Sequence, residues 1–96
     1  MTGSTQSQPY NNDADKLKVL VTPNPSVRGI PFVLNITGKA DKKVQIRVIN
    51  MLGTEIYRAE GAANKTYRLG AEFVSGMYVI QVIQDNQIQT LKVIKE

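Results

Sequence analysis

With 96 residues, 42% of them hydrophobic and 21% charged, the chain has the make-up of one small globular domain and no room for a catalytic domain with lids. It contains neither cysteine nor histidine, which removes disulfide frameworks, thiolate metal sites, cysteine nucleophiles and the commonest general base, so it is read as not an enzyme, with no cofactor and no metal. A net charge of +4 would suit a polyanion, but Lys43, Arg47, Arg58, Lys65 and Arg68 are scattered along the chain and the aromatic content is only 6%; this describes a solvated polar face and excludes nucleic acid as the expected partner.

Residues 1–16 are mostly Ser, Thr, Gln, Asn, Gly and Asp with a single Tyr, too polar to bury themselves, and read as a disordered linker or an appended tail. They lack the basic start and apolar centre of a secretory signal peptide. Asn11, Asn12, Asp13 and Asp15 look like an oxygen-rich calcium loop but lack the glycine and closing glutamate of an EF-hand, so a plain linker is the better reading. From Leu17 onward the pattern changes to short β-rich segments, and residues 17–96 are expected to form the domain.

Residues 17–21 form the first expected strand, stopped by Pro23-Asn24-Pro25, whose two prolines lock the backbone into a rigid turn. Phe32, Leu34 and Ile36 then alternate with more polar neighbours, and after a turn at residues 38–42 Val44, Ile46 and Val48 face inward with Gln45 and Arg47 outward. Gly53 closes a Met-Leu-Gly connection with a positive φ. The weakly alternating stretch 54–60 reads as an edge strand. After a turn at 61–64, Tyr67 and Leu69 point inward from residues 65–69, and Phe73 and Val74 are expected to plug the core.

Gly76-Met77-Tyr78 opens the most apolar stretch. Tyr78, Ile80 and Val82 lie on one face and Met77, Val79 and Ile83 on its neighbour, the pattern of a central strand buried on both sides. Asp85-Asn86 suits a tight turn into a last strand over 87–95. Seven such strands, no helical stripe and no long apolar run predict an all-β fold, a seven-stranded antiparallel immunoglobulin-like β-sandwich. Its expected core is Phe32, Leu34, Val44, Ile46, Val48, Tyr78, Ile80 and Val82.

Taken together, Pro23-Asn24-Pro25, Gly53 in its Met-Leu-Gly turn, Gly76-Met77-Tyr78-Val79 and the terminal Lys92-Val93-Ile94-Lys95 resemble the type A C-terminal sorting domain of type IX secretion cargo. The resemblance covers residues 17–96. It implies a non-catalytic signal that addresses an N-terminal cargo domain to an outer-membrane translocon and its shuttle protein, for display on the cell surface or release. It also implies removal by a sortase-like surface peptidase. Pro23, Asn24, Pro25, Gly53, Gly76 and Tyr78 match the family's motif positions. For Gly76 and Tyr78 the residues themselves favour close backbone approach and a core tyrosine with a bonded hydroxyl.

Lys92, Val93, Ile94, Lys95 and Glu96 are the expected translocon-recognition residues, because a basic, apolar last strand can be grasped by pairing with a receptor's sheet edge. Since a secreted cargo carries an export signal and a large domain ahead of this one, the chain reads as an excised piece. Two other classes compete: an adhesive or carbohydrate-binding sandwich, disfavoured by the absence of tryptophan, and a passive fibronectin-like spacer, which would be indifferent to the last five residues.

Overall fold

The computed structural model describes residues 16–96. The expected linker 1–16 and the calcium-like stretch within it lie outside the described residues, Lys16 excepted. Seven strands follow in order: β1 (Lys18–Thr22), β2 (Phe32–Thr37), β3 (Lys43–Asn50), β4 (Glu55–Ala62), β5 (Lys65–Leu69), β6 (Gly76–Gln84) and β7 (Gln87–Lys95). They form two antiparallel sheets, one ordered β1-β2-β5 and the other β4-β3-β6-β7, packed face to face as an immunoglobulin-like sandwich.

Period-two alternation places the core between the sheets. Phe32, Leu34 and Ile36 from β2 meet Val44, Ile46 and Val48 from β3 and Tyr78, Ile80 and Val82 from β6, all buried, with Val93 of β7 joining them. Every residue of the expected core is inside. The interior is almost wholly aliphatic, so sheet register is enforced by burial: a one-residue slip of β6 would turn Ile80 and Val82 outward. β6 lies centrally between β3 and β7, with Val48 opposite Ile80 on one side and Leu91 opposite Ile80 on the other. Asp85, at φ 52°, makes the tight turn after it.

Several boundaries and burials differ from expectation. β1 begins and ends one residue later than expected, with Leu17 buried just ahead of it. β4 continues to Ala62, so the turn into β5 shrinks to Ala63 and Asn64, the latter at φ 58°. Phe73 does enter the core, but Val74 is 69% exposed; its carbonyl, not its side chain, is used. The second face of β6, carrying Met77, Val79 and Ile83, is only half-buried, because no third layer covers it. An apolar run therefore overstated burial: β6 is central within its sheet, yet that sheet has one covered face.

Candidate functional site

The residues singled out from the sequence gather at one end of the sandwich. Antiparallel pairing sets Gly76 opposite Lys95 and Tyr78 opposite Val93, while Asn50, where the Met-Leu-Gly turn begins, lies opposite Tyr78. Leu17 is at the other end, where its N–H donates to Gln87 Oε1. From Gln87 to Lys95 the last strand spans roughly 27 Å at the usual rise per residue, so the chain enters the domain far from where its last strand finishes.

At that finishing end the connection after β1 crosses to the other sheet. The bonds before Pro23 and Pro25 are both cis, and residues 24–26 run alongside the outer edge of β7 as a strap, with Ser26 in a parallel bridge to Lys95. Asn24 substitutes its side-chain amide for a peptide unit: Nδ2 donates to the Lys92 carbonyl at 3.1 Å and Oδ1 accepts from the Ile94 N–H at 3.0 Å. Ser26 continues the ladder with its backbone, donating to the Ile94 carbonyl at 2.9 Å and accepting from the Glu96 N–H at 2.7 Å. The outer-edge carbonyls of Lys92 and Ile94 and the N–H groups of Ile94 and Glu96 are thus paired within the domain.

Lys95 was expected to be displayed with the rest of the terminal motif. Instead it is 1% exposed. The reason is β-alternation: Val93 and Lys95 share the inward face, while Lys92, Ile94 and Glu96 point out. Its Nζ donates to Ser26 Oγ at 3.2 Å, to the Val27 carbonyl at 3.2 Å and to the Ile30 carbonyl at 2.5 Å. The ammonium also sits 4.9 Å from the centroid of the Phe32 ring, a favourable cation–π placement. Burial pushes the Lys95 pKa below its ordinary value, with the Glu72 carboxylate opposing. Ser26, fully buried, donates its own hydroxyl to the Ile30 carbonyl at 2.7 Å.

Gly76 and Tyr78 build the adjoining corner. Tyr78 stacks obliquely on Phe73, centroids 4.9 Å apart, and its hydroxyl donates to the Val74 carbonyl at 2.6 Å, the tyrosine corner of immunoglobulin-like sandwiches. The bonded hydroxyl is as expected; the close backbone approach at Gly76 is not, because a Cβ there would meet nothing nearer than its neighbour Tyr78 at 4.0 Å. What requires glycine is its φ of +153°, which L side chains rarely adopt. Gly53, at φ +83°, turns the exposed Met51-Leu52 tip, braced by Asn50 Oδ1 accepting from the N–H groups of Leu52 and Thr54. Between this tip and the Tyr78 corner lies a hollow of about 450 Å³ walled by Met51, Leu52, Ile56, Val74 and Met77. Nearby on the outer face, Glu55 is held at a pKa of about 2 by hydrogen bonds from Arg58 and Arg47.

The terminal and proline motifs, far apart in sequence, therefore form one structure, and the glycine-tyrosine motif adjoins it. Ser26 and the carbonyls of Val27 and Ile30 belong to the same site but escaped sequence reading; backbone acceptors leave no residue-type signature, and a serine after a proline turn resembles any loop serine. Among the described residues no cluster of carboxylates suited to a metal ion occurs. A family model described as a secretion system C-terminal sorting domain matches residues 20–96, which take in all seven strands apart from the first two residues of β1. No curated protein matches the chain.

Proposed function

The chain belongs to the family of secretion system C-terminal sorting domains, and on that premise we propose that the end of the sandwich bearing residues 92–96 is what the outer-membrane translocon and its shuttle protein read. Membership makes the domain a sorting signal of type IX secretion, which takes an attached cargo across the outer membrane to the cell surface or the medium. The finer assignment rests on one observation. The motif residues Pro23, Asn24, Pro25, Gly53, Gly76, Tyr78, Lys92 and Lys95 all lie at one end, and Leu17, just ahead of the first strand, lies at the other. A cargo joined ahead of the domain is thereby held away from the surface a receptor engages. In this reading a sortase-like peptidase then cuts in residues 1–16. Exposed Lys92 supplies charge, and the last strand supplies an edge for pairing.

Fusing the 96-residue chain behind an exported fluorescent protein tests the assignment in bacteria with and without a type IX system. Surface fluorescence is expected only in the first host. Retention in the periplasm of both hosts, or delivery in both, would overturn it.

A further inference from the structure

Resting on the reading that the last strand is the address, we propose that the strap of residues 24–26 is a placeholder on the outer edge of β7: an extended strand of the receptor takes its position and frees the Lys95 ammonium in doing so. The partner is thus a β-strand offering alternating N–H and carbonyl groups, and the surface is the backbone edge of Lys92, Ile94 and Glu96.

Three observations support this. First, the edge that a receptor strand would need is already filled by groups imitating one: the Asn24 amide serves Lys92 and Ile94, and the Ser26 backbone serves Ile94 and Glu96. A true strand could satisfy the same carbonyls and N–H groups with regular geometry, so exchange replaces hydrogen bonds one for one and leaves no buried group unpaired. Second, the hold is short. It covers only the last residues of β7, and among the described residues the outer-edge backbone of Ile88 and Thr90 has no partner, giving an incoming strand a place to begin. Third, the strap forms the lid over Lys95: Ser26 Oγ and the Val27 and Ile30 carbonyls that hold its Nζ all belong to the strap or the residues directly after it. Moving the strap away takes Ser26 Oγ from the ammonium and draws with it the Val27 carbonyl that follows directly. A cationic group that is covered in the free domain and displayed in the bound one lets a receptor tell an engaged strand from a free one.

The test uses the full chain and its fluorescent fusion, comparing the parent with Asn24→Ala, which loses both side-chain bonds, and Asn24→Asp, which keeps the acceptor for Ile94 and loses the donor to Lys92. Amide hydrogen exchange at Ile94 and Glu96 reports strap opening, whereas Leu91 and Val93 report the β6–β7 pairing. Asn24→Ala is expected to speed exchange at Ile94 and Glu96 by about tenfold or more without changing Leu91 and Val93. Asn24→Asp is expected to fall between it and the parent. Delivery by a type IX host should be equal to or greater than that of the parent, since the placeholder leaves more easily. If Ile94 and Glu96 exchange only as fast as the whole domain unfolds, the strap does not open and the proposal falls. It falls equally if Asn24→Ala keeps its melting curve yet loses delivery, because the strap would then be part of what is read. Loss of delivery by the parent itself would instead count against the sorting assignment.

Discussion

Each end of the sandwich pins a loop with one buried, long, polar side chain on the last residue of a strand, and the two side chains differ in chemistry. Away from the motif end, Gln84 closes β6 and is 1% exposed. Its Oε1 accepts from the Lys39 N–H at 2.9 Å, and its Nε2 donates to the carbonyls of Lys39 and Lys42, each at 2.9 Å. At the motif end Lys95 closes β7, equally buried, and reaches three oxygens of the loop over it. A neutral amide with a donor and an acceptor does this work without desolvating a charge. A lysine does it at the cost of carrying an ammonium out of water, compensated only in part by carbonyl dipoles and an aromatic ring. Fold alone therefore accounts for Gln84. Lys95 is the costlier choice, and that asymmetry supports the proposal that the motif end is the one a partner engages.

The largest expected effect tests whether the ends share one body. Ile80→Ala, in the core midway between them, should cost on the order of 2–5 kcal/mol. Both ends should still melt together, the Lys39 amide and the Ile94 amide losing protection in one transition. Separate transitions would make the two ends independent units and would break the comparison.

Next come the pins themselves. Gln84→Leu leaves the Lys39 N–H without its acceptor and the Lys42 carbonyl without its donor, while the Lys39 carbonyl keeps only a long 3.4 Å bond from the Lys42 N–H, so a loss on the order of 1–3 kcal/mol is expected in chemical denaturation. Lys95→Met should change stability by less than about 1 kcal/mol, because a buried charge is removed while its oxygens keep partners. The Ile30 carbonyl still accepts from Ser26 Oγ, and the Val27 carbonyl still accepts from the Ile30 N–H. If Lys95→Met costs as much as Gln84→Leu, the lysine is merely a second pin.

The direction of the Lys95 shift adds a pH signature. Its folded pKa lies below the unfolded value, so the unfolded chain binds more protons in the window beneath the ordinary lysine pKa of about 10.4, and the lysine's contribution to stability rises with pH there. Parent stability relative to Lys95→Met should climb as the pH rises toward the ordinary lysine pKa of about 10.4. A flat or falling difference would contradict the burial of a charged amine.

The fold was legible because its determinants are periodic. Phe32, Leu34 and Ile36, or Tyr78, Ile80 and Val82, announce an inward face by spacing alone, and Gly53 and Asp85 announce turns by backbone chemistry. The site was legible only as a set of motifs. Nothing local to Asn24 says that its amide will meet Lys92 and Ile94, since that contact depends on a crossover between sheets. Lys95 was misplaced for a related reason: residue type argued for the surface, while the period of two that Val93 sets argued for the interior. The period prevailed because the strap supplies acceptors there.

At the corner next to the pin, Tyr78→Phe removes the hydroxyl that donates to the Val74 carbonyl and keeps the ring against Phe73. A loss of about 1 kcal/mol is expected, the net worth of one such bond, with delivery unchanged once the domain is folded. Lost delivery with an unchanged melting curve would make the hydroxyl a contact for the receptor and extend the reading surface from the last strand to the hollow beside it.

The smallest expected effect on stability belongs to Lys92, and it isolates recognition from folding. A double substitution with Lys95 cannot do so, because Lys95 is part of the interior. The Lys92 side chain is exposed, and only its carbonyl is used within the domain, by Asn24. Lys92→Ala keeps that carbonyl and should change stability by less than about 0.5 kcal/mol. If the receptor reads charge from the outward face of the last strand, surface delivery of the fusion should fall while the melting curve stays put, and Lys92→Arg should restore it by returning the charge. Unchanged delivery would leave the edge backbone and the covered Lys95 as the groups that carry the address. The two ends would then differ in what they hide and not in what they display.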